Sequence, residues 1–258
     1  MSYWAERMAE TQSALTAKGI EEIEKQLQRY YRITRNRVIN DFESTYSKVL
    51  SAIEEGKEIT PADLYKLDKY WQMLGQLKIE LQNLGDKQIV ELSKRFTEQY
   101  LNVYNILNLP SKSFFNSIDK ATAEQMINQI WCADGKSWSQ RVWNNLDRLQ
   151  YTLNQNLIDC LVAGRKTSDL KEILQAEFDV AYNRADSLVR TEMAHIQTQS
   201  AQQRYKDAGI TQVQVWADKD ERRCPKCGAI HKKKYNINEK IPLPLHPRCR
   251  CCIIPVID

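Results

Sequence analysis

The most regular feature of the chain is a stripe of apolar positions near its start. Ile20, Ile23, Leu27, Tyr31, Thr34, Val38, Phe42, Tyr46, Val49 and Ile53 recur every three or four residues, with Thr34 the single polar member. The stripe spans 33 residues in nine steps, a mean of about 3.67 per turn. A left-handed coiled coil needs about 3.5, so the pattern predicts one long, nearly straight helix whose apolar face requires partner helices. Ahead of it, residues 3–18 predict a short amphipathic helix closed by Gly19 at a C′ position.

Gly56 is expected to end the long helix. Thr60-Pro61-Ala62-Asp63 then opens another, with Thr as N-cap, Pro at the first position and an acid in the first turn. Leu64, Leu67, Trp71, Leu74, Leu77, Leu81 and Leu84 form its expected buried face, and Gly85 its end. A further helix is predicted over 87–108, broken by Pro110. Thr122-x-x-Gln125 reads as a capping box for a helix ending near Trp131, and Ser137-x-x-Gln140 starts one that runs to about Val162. Gly164 follows, Thr167 caps a helix over 168–177, and a last long helix covers about 179–207 before Gly209. Strand chemistry appears only after this. Val213-Gln214-Val215-Trp216 alternates apolar and polar positions up to Val215, and Cys251 to Ile257 is a second β-rich run. These two runs are expected to pair.

Eight glycines and seven prolines in 258 residues, with four of the prolines in the last 17, fit helices through the first 200 residues. No stretch approaches the length of a membrane-spanning apolar run, and Met1-Ser-Tyr-Trp-Ala-Glu-Arg7 carries charges where a signal peptide needs an apolar core. The net charge of +4 is unevenly spread. Residues 204–258 hold 12 Lys and Arg against 6 Asp and Glu, a net +6, and the remainder is −2. A basic tail beside a near-neutral body suggests an acidic surface or nucleic acid as neighbour, with Arg222, Arg223, Lys232, Lys233 and Lys234 as the contacts. A solvated Lys232-Lys233-Lys234 turn explains the same charges without a partner.

Five of the seven cysteines and two of the three histidines lie in the last 35 residues. Cys224-Pro-Lys-Cys227 and His246-Pro-Arg-Cys249 stand 18 residues apart, the arithmetic of a small tetrahedral metal site. Cys224, Cys227, His246 and Cys249 make the best ligand set, with Cys251 as main substitute and Cys252 and His231 behind it. Structural Zn2+, disulfide pairing and packed reduced thiols all remain open readings of this tail; synthesis in a reducing cytoplasm favours metal. Four protein ligands leave no open coordination position, so a catalytic ion is not expected. Cys132 and Cys160 read as core fillers within helical patterns. His195 reads as a partly buried histidine rather than a general base. Arg190 and Glu192 are two apart on a helix and face different ways, so each is expected to tie the helix to the tail by a separate charged bond.

One order of residues is more specific than any of these signals. Gly164 and a capped helix precede Arg190-Thr191-Glu192; then come Tyr205, Gly209, Trp216 and Cys224-x-x-Cys227, and finally Pro242 and His246-Pro247-x-Cys249-Arg250-Cys251. Over residues 140–257 this resembles the MuF-type head-morphogenesis, or minor capsid, family of tailed bacteriophages. The opening Tyr3-Trp4-x-x-Arg7 is similar to the start of such proteins from phages of Gram-positive bacteria. The resemblance implies a minor head protein made in the host cytoplasm and residing in the virion interior. Its implied partners are the portal, capsid and scaffold proteins and the packaged DNA, with which some members leave the head. Some members carry appended toxin or nuclease domains, which a chain ending soon after the motif is not expected to have.

The expected architecture is mainly α: an elongated helical N-terminal region over 1–135 and a MuF-like domain over 136–258. The second is a small α+β, zinc-stapled domain with its Cys/His-rich tail at 209–258. No enzymatic activity and no small-molecule substrate are expected. The rival readings are a zinc-stapled nucleic-acid module and a nuclease or ADP-ribosyl-transferring enzyme using Arg190, Glu192 or His195.

Overall fold

A computed structural model describes residues 3–51, 60–107, 118–217, 221 and 223–257. Helix α1 (Tyr3–Ser51) is one continuous element of 49 residues. Gly19 therefore does not end a helix. A Cβ there would lie 2.7 Å from the Met193 methyl, so this glycine permits a close approach. The stripe from Ile23 to Val49 is buried at every predicted position, and Ile20 is half-buried. Ile53, Gly56 and Pro110 lie outside the described residues.

Thr60 caps the one-turn helix α2 (Pro61–Leu64) through a box with Asp63, as its sequence predicts. The chain then breaks at residues 65–67 and restarts as α3 (Asp68–Ile106). That break resets the helical phase. Tyr70 and Met73 are buried in place of Trp71, which is 53% exposed, while Leu77, Leu81 and Leu84 keep their predicted side. Gly85 sits inside α3 and ends nothing. Its missing Cβ would meet the Trp143 ring at 2.2 Å, so the indole packs flat against bare backbone. The two helices expected on either side of Gly85 are one.

Helix α4 (Lys120–Ile127) starts three residues before the expected box, because the Asp119 carboxylate accepts the Thr122 N–H at 2.7 Å. Helix α5 (Trp138–Val162) has the predicted bounds. Helix α6 (Thr167–Asp207) joins the two helices expected over 168–177 and 179–207. Neither glycine nor proline interrupts residues 177–179, and Phe178 is core. Gly209, at φ 76°, ends it in the left-handed region.

The packing forms two compact units. One comprises residues 25–90 and 139–185, the other residues 1–24, 91–138 and 186–258. Residues 1–135 and 136–258 thus each contribute to both. The first unit is all helical. Within it Asn145 donates to the Ala181 carbonyl at 2.9 Å and the Tyr46 hydroxyl to the Arg165 carbonyl at 2.9 Å. Tyr31 and Tyr182 meet edge to face at 5.7 Å.

The second unit holds the sheet. Strand β1 (Gln212–Trp216) lies between β2 (Lys234–Asn236) and β3 (Cys252–Pro255), antiparallel to both. The expected pairing of the two β-rich runs is present, with Val215 opposite Ile253 and Trp216 opposite Cys252. The three-residue β2 carries no alternation that could have predicted it. Alternation along the paired strands sends Val213, Val215, Cys251 and Ile253 to one apolar cluster, and Trp216, Cys252 and Ile254 to another with Ala9. Both faces are covered. A buried Gln12 on α1 donates to the Ile253 carbonyl at 3.0 Å and fastens that helix to β3.

Candidate metal centre

The segment between β1 and β3 brings the cysteine and histidine knuckles together. Pro225 at the first position fixes the start of α7 (Pro225–Ile230), and Cys224 is its N-cap, its sulfur accepting the Cys227 N–H at 3.4 Å. This turn aims Cys224 and Cys227 at one point. His246 Nε2 stands 3.2 Å from the Cys224 sulfur and 3.1 Å from the Cys227 sulfur. Cys249 Sγ lies 3.8 Å from Cys227 Sγ. Two triads result, Cys224–Cys227–His246 and Cys227–Cys249–Cys251, each with its ligand atoms within 4.8 Å of one another and with Cys227 common to both.

These three separations fit edges of an ion site, while Cys224, Cys227, His246 and Cys249 fall into two triads and not one group within 4.8 Å. A tetrahedron with Zn–S bonds of about 2.3 Å has sulfur–sulfur edges of about 3.8 Å, the Cys227–Cys249 separation. The sulfur–nitrogen separations are a few tenths of an ångström below the corresponding edge, a gap that small side-chain rotations close. The second ring nitrogen of His246, Nδ1, is 2.8 Å from the Pro247 carbonyl, to which its N–H donates. That bond fixes the tautomer that points the Nε2 lone pair at the sulfurs.

Proton affinities in the cluster diverge for the same reason. Hydrogen bonding from Cys251 holds the Cys249 thiol down to about 5, and the Cys227 backbone N–H lowers Cys224. Burial pushes Cys227 up to about 12, and its bond with Cys249 raises Cys251 well above the ordinary thiol range. The hydrogen bond to Pro247 raises His246. Thiols this close cannot all ionise beside one another; a divalent cation supplies the charge that lets several do so.

The alternation of β3 excludes Cys252, which faces the Trp216 cluster. His231 is also turned away: its Nδ1 accepts the Ala217 N–H at 3.2 Å and its ring meets Trp216 edge-on. Cys160 is buried core, as expected; Cys132 is half-buried in a bend after α4, not in a helix.

Arg190, Thr191 and Glu192 each hold a different neighbour. Arg190 bonds Asp186 one turn back, at 3.0 Å, and Glu24 on α1. The expected direct bond from Arg190 to the tail is therefore replaced by one through Asp186, whose carboxylate also takes Arg248 at 2.7 Å. Thr191 is the residue that touches the tail itself. Its hydroxyl oxygen accepts the Arg248 N–H at 3.1 Å and pins that residue at φ 61°. Glu192, buried, accepts the Trp131 indole N–H at 2.9 Å. His195 stacks on the same indole at 4.2 Å, and burial pulls it down to about 4, so it stays neutral. Sequence reasoning missed Asp186, Glu24 and Trp131; only the four-residue spacing of Asp186 and Arg190 was a visible signal.

Lys232, Lys233 and Lys234 are exposed on the turn entering β2, and Arg223 is exposed before α7; Arg222 lies outside the described residues. An edge strand bearing lysine also resists pairing with another chain, which gives Lys234 a structural reason to be there.

No helix among the described residues is long and apolar enough to cross a membrane. No curated protein and no solved structure matches the chain. Residues 151–254, which include the last 12 of the 25 residues of α5, all of α6, the sheet up to Ile254 and every residue of the cysteine–histidine cluster, match the family model described as Phage Mu protein F like protein, a family that points to phage head morphogenesis or a minor capsid role. Over that segment the chain is similar to the phage Mu protein F-like family, the MuF-type phage family that its motif order resembles.

Proposed function

We propose that the chain is a structural, non-enzymatic protein of a tailed-phage head. It acts in head morphogenesis beside the portal, with capsid and scaffold proteins as its partners, and it lies inside the virion after synthesis in the host cytoplasm. The family match over 151–254 is the observation that carries this reading. The side chains agree with it: Arg190, Thr191, Glu192 and His195 are each committed to fastening elements together. In this reading Zn2+ is held by Cys224, Cys227, His246 and Cys249, and Cys251 hydrogen bonds to Cys249 from outside the tetrahedron. The ion's role is to close the segment between β1 and β3. Quantitative mass spectrometry of purified particles tests the assignment. The chain should be found in filled heads at low copy, and its absence from heads with abundance in the lysate would overturn it.

The exposed Lys232–Lys234 turn and Arg223 favour a second role, contact with packaged DNA that accompanies release of the genome. Replacing the three lysines by alanine should then reduce the slope of log affinity against log salt by up to about 2.7, roughly 0.9 for each phosphate no longer neutralised. An unchanged slope assigns the lysines to edge protection and solubility.

A further inference from the structure

Beside the cysteine cluster, within the same compact unit, α1, α6 and residues 248–250 enclose a cleft of about 580 Å³. Three guanidinium groups line it, from Arg190, Arg248 and Arg250, together with one carboxylate, Asp186. Ala17, Ile20 and Ala194 supply apolar wall between them. We propose that this cleft binds a carboxylate carried by a peptide, either at a chain terminus or on an acidic side chain.

Preorganisation is the first argument. Asp186, only 7% exposed, bonds Arg190 through Nε at 3.0 and 3.2 Å and Arg248 at 2.7 Å, so one buried anion sets the direction of two cations. Glu24 takes another nitrogen of Arg190, and the Thr191 bond holds the Arg248 backbone in the left-handed region. Freezing two long side chains normally opposes binding; here the fold has already done it. A guanidinium so fixed presents a planar fork that matches a carboxylate.

Charge balance is the second. Three arginines line the cleft against one lining carboxylate, Asp186, a cationic lining that suits a singly charged carboxylate. A phosphodiester carries the same single charge, but a duplex brings further phosphates every 3.4 Å or so along each strand, on a convex surface. The Asp186 carboxylate already at the cleft repels those neighbours, and a concave site with apolar walls cannot follow them. The aliphatic part of a peptide beside its carboxylate suits the walls. The site stands apart from the head-assembly reading, since it rests on these side chains alone.

Calorimetry on the full chain tests it, using four probes: an N-acetylated alanine–leucine pentapeptide with a free C-terminal carboxylate, its C-terminal amide, the amide with one internal glutamate, and a short DNA duplex. At least one acidic peptide should bind, about tenfold or more tighter than the plain amide, and which one binds assigns the carboxylate to a terminus or a side chain. Arg250→Gln removes a rim cation, and Ala17→Leu narrows the cleft from an exposed helix position distant in sequence from the metal ligands. Each should cost about tenfold in that affinity with the melting temperature unchanged. Equal binding of acid and amide, or full affinity in Ala17→Leu, overturns the proposal. So does a duplex that displaces the peptides and is itself lost in Ala17→Leu, which would make the cleft a nucleic-acid site.

Discussion

The two compact units solve the same burial problem with different chemistry. Twelve polar or charged residues are buried among the described residues, and only Thr34, Glu80 and Gln88 belong to the all-helical unit. The other nine belong to the unit that carries the sheet. There Gln99 donates to Thr16 at 2.8 Å, Thr16 donates to Gln197 at 2.6 Å, and Ser200 donates to the Tyr100 carbonyl at 2.6 Å. A helix satisfies its own backbone, so a helical unit needs only apolar faces that fit. In the sheet-bearing unit these bonds join α1, α3 and α6 to one another, and Gln12 adds one from α1 to the Ile253 carbonyl of β3. Apolar area, being non-directional, sets the first unit; directional bonds and, by our proposal, a metal set the second.

The sharpest way to break this contrast is to take the metal away. Purified protein should contain about one zinc per chain with few thiols free to react, and a strong chelator or Cys227→Ser should remove it. The loss should be on the order of 4 kcal/mol or more, because metal binding at such a site is folding free energy. Hydrogen exchange should show lost protection in β1 and β3, while residues 25–49 keep theirs. A chain that is metal-free as purified, or equally protected in both units after chelation, would remove the ion from the account.

Acid should also act on the sheet-bearing unit. Burial holds His195 down to about 4 against 6.5 for an ordinary histidine, with Lys240 reinforcing the shift. As pH falls, the unfolded chain takes up its proton first. The contribution of neutral His195 is complete above pH 6.5, shrinks between 6.5 and 4, and falls no further below that. The decline should be on the order of 2 to 3 kcal/mol. His195→Phe keeps a ring against Trp131 and should flatten that part of the stability profile. Metal release in acid is common to both proteins, so the difference between their profiles isolates the histidine.

In the helical unit the matching test is steric. Gly85→Ala should gain up to about 1 kcal/mol from helix propensity alone. The clash of the new methyl with Trp143 at 2.2 Å and Leu146 at 2.9 Å should instead cost about 1 to 3 kcal/mol. Trp143→Leu in the same chain should recover part of that loss. Gly75→Ala, with nothing within 4 Å of the added carbon, should show the propensity gain undisturbed. Denaturant midpoints of these variants check the set; equal effects at Gly75 and Gly85 would contradict the close packing of the indole.

These glycines also show why parts of the fold were legible and others were not. The α1 stripe could be read because helical burial leaves a periodic trace at each position along one face. Gly19 and Gly85 misled because a glycine that ends a helix and one that admits a neighbour look alike in sequence; the difference lies in Met193 and Trp143, more than fifty residues away. Trp71 was misplaced because a three-residue break shifted the helical phase. The clustering of Cys224, Cys227 and His246 was legible through knuckle spacing, which is local. Glu24 was not, since it reaches Arg190 only through tertiary packing, and Asp186 left only its four-residue spacing from Arg190 as a trace.

The smallest expected effect tests the bond that joins α6 to the tail. Thr191→Val keeps the shape of the side chain and removes the oxygen that accepts the Arg248 N–H. Because Arg248 is partly exposed, water replaces some of the lost bond, and the cost should be only about 0.5 to 1 kcal/mol. Thr191→Ser should restore most of it. The conformational consequence is more telling than the energy. Arg248 is held at φ 61°, where a residue with a side chain is strained, and this hydroxyl is one of the contacts that hold it there. In Thr191→Val, amide exchange at Arg248 and its neighbours should quicken while β1 and β3 stay protected. If β1 and β3 exchange as fast as residue 248, the hydroxyl supports the whole sheet-bearing unit, and its directional bonds act as one network.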